Sequence, residues 1–484
     1  MKKLKNKHII IITAFLLFLI ALITVPFDLL EATDVKDYSD TAKFFAGEYK
    51  AKHRAAHSIL YGLLLSPYVK IVDSFFLIKF ASVFWLILII ISVYYISKGD
   101  RRTLLLIILS PVVWFMAPWL SPVPIVSLLF LWAYYFLDRF EKIGRAGYVI
   151  YAGLLVGLAS AFWDSALYFS FIFLIAFFYN KKFYSVWIFL VAIVVGLIPR
   201  LVVDQIFFGF ALYGILKNFF ALLSFALYGG VYSPIYHVFG LWGYMIILLF
   251  TPFYFYVLYK REKFVRYKSV MIFLTISFIF ILLNPHIRMI MILMPIMAVL
   301  MGRELNNIQY KRQLIIFFIL SILIIIPYII QSNYETNART FEKALIKFPD
   351  LEFHEQFKGE LIKEDLEEIG KEYKNEIFVV GNKRDYYKEL AHFYWGNDIK
   401  EFISIEDYLL YLNDSPTIAT QRIKSNADSR FRTEMWIEVG LRKNSNDNTN
   451  YETITHAISL DENIDLPDFK FVKKYRSLSI FERM

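Results

Sequence analysis

The chain is predicted to be a polytopic α-helical membrane protein, with about 11 transmembrane helices and a soluble α/β domain at its C-terminus. Three observations predict this. Apolar residues are 58% of the 484, aromatics are 19%, and mean hydropathy is +0.49, whereas a soluble domain is normally about half apolar. The excess is gathered in runs that approach the roughly 20 residues needed to cross a bilayer. These runs stop near residue 331, where the charge balance also reverses: from Gln331 onward there are 29 acids against 22 bases, leaving 14 acids and 30 bases before it. A basic membrane part and an acidic tail are expected to occupy different surroundings.

The expected spans, in order, are 8–26, 75–97, 103–118, 122–137, 147–162, 165–180, 183–199, 241–259, 269–283, 288–301 and 314–331. The first follows a basic leader (Lys2, Lys3, Lys5, Lys7), as a signal peptide would, but Pro26-Phe-Asp-Leu-Leu30 stands where a small-residue cleavage site would be. It is therefore expected to be retained. The basic clusters Lys2–Lys7, Lys98–Arg102, Arg139–Arg145, Lys181–Lys182, Lys260–Lys268 and Arg303–Arg312 all fall on one side of an alternating scheme. The positive-inside rule makes that side cytoplasmic. The N-terminus is then cytoplasmic and the tail external. Two long external loops result, 27–74 and 200–240, and 147–180 must turn tightly near Trp163-Asp164-Ser165.

The membrane domain is thus 1–331 and the external domain 332–484. In the latter, Glu376–Gly381, Lys400–Ser404 and Thr417–Thr420 read as strands, separated by helices at Lys383–Trp395 and Ile405–Asn413. That is a βαβαβ pattern. Alternating stretches at Trp436–Leu441, Thr453–Ser459 and Phe469–Phe481 suggest further, antiparallel strands. There is no glycine-rich phosphate loop. The chain has no cysteine, which excludes disulfides, zinc–thiolate sites and a cysteine nucleophile.

Polar chemistry is concentrated in the first external loop, which holds Asp34, Asp37, Asp40, Glu48, Lys50, Lys52, His53, Arg54 and His57. Asp34, Tyr38 and Ala42 are four residues apart and share one helical face. One reading is a carboxylate at the lipid–water boundary acting as general base on an acceptor hydroxyl, with nearby cations holding a lipid-linked phosphate. The other is a solvated amphipathic helix. Arg200 and Arg288 sit at outward span ends, where an arginine binds a phosphate or snorkels to the interface. Asp164 lies in the short outward turn, either as turn chemistry or in substrate positioning. Trp119 and Trp163, near outward turns, are the best candidates among the tryptophans for stacking on a sugar. Asp34 and Asp37 lack a histidine or further carboxylate placed to complete a metal site, so no metal requirement is expected.

The segment Asp34-Val-Lys-Asp-Tyr38-Ser-Asp-Thr-Ala42 resembles the first external loop of GT-C glycosyltransferases, the polyprenyl-phosphate-sugar-dependent family that includes protein O-mannosyltransferases and the aminoarabinose transferase acting on lipid A. The family-39-like branch carries Asp, Tyr four residues on, and Ala four beyond. By that resemblance Asp34 is the catalytic base, with Asp37 its near competitor. The family often continues with His or Lys, two prolines and Leu-Tyr; His57-Ser-Ile-Leu60-Tyr61 keeps His57, Leu60 and Tyr61 and lacks the prolines. Gly153-Leu-Leu-Val-Gly157, Pro199-Arg200 with Phe208-Gly209, and Asn284-Pro-His-Ile-Arg288 with Leu293-Met-Pro295 are similar to later family segments. The resemblance implies a GT-C-like fold. It also implies transfer of a sugar, with inversion, from a polyprenyl phosphate donor such as dolichol phosphate mannose to an acceptor hydroxyl on the outer face. Lys52, Arg54, His57, Arg200 and Arg288 are the expected phosphate-binding residues, and Tyr38, Tyr61 and Asp164 the positioning ones. The expected partners are the lipid-linked sugar, a glycan, lipid or protein acceptor, and membrane lipids. No cofactor and no nucleic acid are expected. The competing class is a transporter or flippase of polyprenyl-linked glycans, which usually shows internal repeats and midplane charges; neither is evident.

Overall fold

The computed structural model describes residues 6–23, 32–47, 59–72, 77–178, 183–216, 268–283, 287–330, 358–374, 376–381, 394–395, 401–404, 454–459, 468–476 and 478–484. The helices among them are α1 (Asn6–Ile23), α2 (Ala32–Ala46), α3 (Ile59–Ile71), α4 (Phe80–Ile96, preceded by a 3₁₀ turn at Leu77–Lys79), α5 (Arg101–Ile108), α6 (Pro111–Met116), α7 (Val123–Ile143), α8 (Ala146–Phe162), α9 (Ala166–Phe178), α10 (Phe183–Phe208), α11 (Lys268–Leu283), α12 (Ile287–Glu304), α13 (Asn307–Ile330) and α14 (Lys358–Glu372). The strands are β1 (Ile377–Gly381), β2 (Glu401–Ser404), β3 (His456–Ser459), β4 (Phe469–Lys474) and β5 (Ser479–Arg483).

Leu77–Ile96, Val123–Ile143 and Tyr184–Phe207 are each long and apolar enough to cross a membrane; five further apolar helices, at Asn6–Leu22, Ile59–Ile71, Ala146–Phe162, Ala166–Phe178 and Lys268–Ile281, are shorter. The expected span 241–259 lies outside the described residues. The chain is a helical membrane protein, and its sequence pattern maps onto this bundle with particular corrections. The run 103–118 is not one span. Pro111 has no N–H to donate, and the helix breaks at Leu109-Ser110 into α5 and α6. The carbonyls released by the break are satisfied from side chains: Trp114 Nε1 donates to Ile108 O at 2.8 Å, and Ser321 Oγ to Leu109 O at 2.9 Å. The stretch 27–74, expected to be an external loop, also holds more structure than expected, including the apolar helix α3. Helix α7 runs beyond residue 137 until Gly144, at φ +76°, turns the chain into the left-handed region. Helix α10 runs past residue 199 to Phe208, so the second loop begins later than 200.

The same proline logic recurs elsewhere. Pro295 inside α12 frees Met291 O, and Ser127 Oγ from α7 donates to it. Pro67 inside α3 frees Leu63 O, and Ser66 Oγ donates to it at 2.8 Å. In a bilayer such groups find no water, so each break needs an internal partner.

Four basic clusters meet at one end of the bundle. Asn6 Nδ2 donates to Gly99 O at 3.1 Å. The Arg102 guanidinium donates to Leu305 O and lies 4.6 Å from the Tyr310 ring centroid. Asp138 contacts Lys142 at 2.6 Å and Arg303 at 4.0 Å. Opposite ends of α4 and α7 meet where Ser121 N donates to Ser82 Oγ at 3.2 Å. The turn Trp163-Asp164-Ser165 between α8 and α9 belongs to that second end.

The seam between α8 and α10 is closed by glycines. A Cβ on Gly157 would lie 2.0 Å from Ile193 O, and one on Gly196 would lie 2.3 Å from Leu154 O. Such close backbone approach is how small residues join helices in lipid.

In the tail, the sheet order is β2-β1-β3-β5-β4. Strands β2 and β3 both run parallel to β1, and β5 is antiparallel to both β3 and β4. The stretch 453–459, expected to be antiparallel, is so toward β5 but pairs in parallel with β1 on its other side, through Phe378↔His456 to Gly381↔Ser459. A parallel pair requires a crossover of a dozen or more residues, and the chain between β2 and β3 is long enough to supply one. The stretch 469–481 is a hairpin rather than one strand. Helix α14, not anticipated, buries Leu366 and Ile369, and Leu366 O accepts from Trp395 Nε1 at 2.8 Å. The expected strands at 417–420 and 436–441 and the helix at 405–413 lie outside the described residues.

Candidate functional site

The segment expected to carry the chemistry is helical: α2 spans Ala32–Ala46. Its four-residue spacing therefore puts Asp34 at the same face position as Tyr38 and Ala42. The side chains of Asp34 and Asp37 lie outside those described. From Tyr38 onward the helix is not the solvated, outward-facing surface expected from its charge. Tyr38 and Ala42 are buried, and so are Ser39, Asp40, Thr41 and Lys43. The reason is α3, which lies against it so closely that a Cβ on Gly62 would meet Thr41 Cβ at 2.5 Å and Ala42 N at 3.1 Å.

Tyr38 meets Tyr61 of α3 edge-on, with ring centroids 5.0 Å apart. Tyr61 is fully buried, and its hydroxyl donates to Ser121 O at 3.0 Å. Two residues chosen for positioning thus touch each other. They tie α2, α3 and the start of α7 together at the end of the bundle opposite the basic clusters. Lys52, Arg54 and His57 lie outside the described residues. At the other end of α2, Phe44 and Phe45 meet Phe207 of α10 with centroids 5.6 and 5.8 Å apart.

Phe207 lies three residues beyond Asp204, a member of a buried ion cluster. Arg200 Nη1 is 2.8 Å from Asp164 Oδ1, and Arg200 Nε is 2.9 and 3.0 Å from the two Asp204 oxygens. The Gly214 N–H donates to Asp204 Oδ2 at 3.0 Å. Side-chain exposures are 3% for Arg200, 7% for Asp164 and 1% for Asp204. This geometry corrects the expectation for Arg200. It is not a headgroup-level cation open to a phosphate but an enclosed one held by two carboxylates. Asp164 likewise faces Arg200 rather than an open cleft. Asp204 completes the cluster, and its i, i+4 spacing from Arg200 is the signal the sequence carries for it. Gly214 gave no signal.

Arg288 is the second residue of α12 and is half-buried. Trp119 and Trp163 are almost wholly buried, Trp119 against Phe115 at 4.9 Å, and pack in the core instead of presenting a stacking surface. Among the described residues no group of three or more metal-ligating side chains comes together.

No family model matches the chain, and no curated protein matches it. Among solved structures, the chain is similar to ArnT from Cupriavidus metallidurans, crystallised in the apo state; the likeness covers 98% of each chain with a TM-score of 0.51 at 10% identity. At that identity the likeness is one of fold, and the fold it shows is the ArnT-like helical membrane architecture along the length of the chain.

Proposed function

We propose that the protein is a membrane glycosyltransferase of the GT-C kind. It would move a sugar from a polyprenyl-phosphate donor to an acceptor hydroxyl at the outer face. The observation that carries this reading is the setting of α2. The Asp-Tyr-Ala pattern lies on one helix, and its Tyr38 is packed edge-on against Tyr61 in a bundle shaped like ArnT. In this reading the Asp34 carboxylate takes the proton of the acceptor hydroxyl as its oxygen attacks the anomeric carbon. The bond from that carbon to the donor phosphate breaks, with inversion. The departing polyprenyl phosphate carries away the negative charge, which Lys52, Arg54, His57 and Arg288 neutralise. The donor is already activated by its phosphate, so the step uses no nucleotide. Asp37 is the alternative base. The tail beyond residue 331 is proposed to lie outside, on the donor side.

Transport of a lipid-linked glycan gains nothing from the broken helix, a feature found at transporter binding sites. The carbonyls freed by the break, Ile108 O and Leu109 O, already have internal donors in Trp114 and Ser321, so the break needs no cargo to satisfy it. The test is incubation of purified protein with a panel of polyprenyl-phosphate sugars and a mixture of acceptors, with release of polyprenyl phosphate as the readout. Release with one donor, abolished by Asp34→Asn, is the expected result. Flipping of the lipid in proteoliposomes without release from any donor would replace this reading with the transporter.

A further inference from the structure

We propose that Arg200 is a positioning residue: through Asp164 and Asp204 it locks three chain segments together at the end of the bundle where α2 rests. The segments are distinct. Asp164 is in the turn between α8 and α9, Arg200 and Asp204 are on α10, and Gly214 follows the end of that helix. One guanidinium contacts both acids, at 2.8 Å to Asp164 and at 2.9 and 3.0 Å to Asp204, and the Gly214 N–H completes the Asp204 shell at 3.0 Å. The fit at Gly214 is tight, since a Cβ there would lie 2.0 Å from Arg200 Nη2 and 2.8 Å from Asp204 Oδ2. A side chain would have to displace the guanidinium itself.

A buried ion network of this kind is weak evidence for extra stability, because desolvation offsets the attraction. Its distinguishing property is that no partial state is cheap. Withdrawing one partner leaves an uncompensated buried charge, so the three segments hold together or separate together. The consequence reaches α2 through Phe207, one helical turn beyond Asp204 and two beyond Arg200, which meets Phe44 and Phe45. The lock thus sets where the helix bearing Asp34 comes to rest. Its bearing on catalysis rests on the glycosyltransferase reading; its bearing on helix position does not.

The absence of cysteine makes the test direct. In an Ala46→Cys/Ala211→Cys parent, which keeps Phe44, Phe45 and Phe207, the rate of crosslinking by a bismaleimide reports how closely α2 approaches the end of α10. The neutral triple variant Arg200→Met/Asp164→Asn/Asp204→Asn removes the charges together, so its thermal unfolding should match the parent's, while its crosslinking should slow by about tenfold. Gly214→Ala, which alters no charge, should slow crosslinking to a similar extent. Parent-like crosslinking in a folded triple variant would overturn the proposal. So would failure of both variants to fold, because the cluster would then hold the bundle together rather than position α2. Slowed crosslinking in a protein that releases no polyprenyl phosphate from any donor would keep the lock and reject the enzyme.

Discussion

Replacing Gly157 by alanine should damage the protein at two places with one methyl group. The new Cβ would lie 2.0 Å from Ile193 O, 2.9 Å from Ile193 C and 3.0 Å from Gly196 Cα. All three neighbours are backbone atoms, so no side chain can swing aside. Ordinary contact needs about 3.5 Å or more, and α8 and α10 must therefore part by more than about 1 Å in a core that does not deform continuously. Overpacking of this kind costs about 1–3 kcal/mol. Because Arg200 lies one helical turn beyond Gly196, the same displacement stretches its 2.8 Å contact with Asp164. Gly147 is the internal control. It lies in the same helix, is exposed, and has nothing within 4 Å of an added Cβ; alanine there should stabilise by roughly 0.4–1 kcal/mol through the unfolded chain. Thermal unfolding of both variants in detergent, with α2–α10 crosslinking alongside, measures the two effects. Equal stability of Gly157→Ala and Gly147→Ala would refute the close seam and the reasoning that joins it to the ion cluster.

Ser127→Ala should cost about 1–2 kcal/mol because it strands Met291 O, whereas in a Pro295→Ala background, where residue 295 regains its own N–H, the same change should cost about nothing; a double-mutant cycle by thermal unfolding reads the difference. Asp34→Asn should lower turnover by about a hundredfold to ten-thousandfold, and Asp37→Asn by much less, measured as polyprenyl phosphate release from matched amounts of folded protein. The tail should lose stability in acid for two reasons of the same sign. Burial lowers the His456 pKa against the opposing pull of Glu376 and Glu482, and hydrogen bonds from Lys473 and Tyr475 lower that of Glu372. The folded tail therefore binds fewer protons than the unfolded one. The His456 contribution is lost as pH falls below its ordinary 6.5. The Glu372 contribution goes below its ordinary 4.5 and is small, because that side chain is exposed. Denaturant titration of the full chain across this range, with the His456→Phe variant alongside, should show the first loss removed.

Helix positions were legible where apolar runs end in charge or glycine. The α8–α9 turn at Trp163-Asp164-Ser165 falls close to the sequence expectation for this reason. What was not legible depended on single backbone groups. Nothing in the composition of 103–118 distinguishes a continuous span from two short helices; Pro111 hints at the break, but Trp114 and Ser321, one of them more than two hundred residues away, decide that it is affordable. The tail sheet shows the same limit, since alternation identifies 453–459 as a strand but carries no information on its direction. At the candidate site, the spacing of Asp34, Tyr38 and Ala42 located the face of α2. Its burial was hidden because a charge-rich segment reads as solvated until Gly62 is seen to admit α3 against it.

The ion cluster also narrows where a donor phosphate can sit. A guanidinium at a span end, read from sequence, is an invitation to an anion. In the structure Arg200 is one positive charge against two carboxylates, all three nearly excluded from solvent. If both acids are ionised, a phosphate brought to this cluster meets a net negative charge, and low dielectric strengthens that repulsion. The proposed reaction is then expected to neutralise its leaving group elsewhere. Of the cations singled out, that leaves Lys52, Arg54 and His57, which follow α2 in the chain, and Arg288, near the start of α12. The division of labour is physical: a guanidinium already held between two buried carboxylates fixes geometry, because drawing it away to a second anion would leave those carboxylates uncompensated.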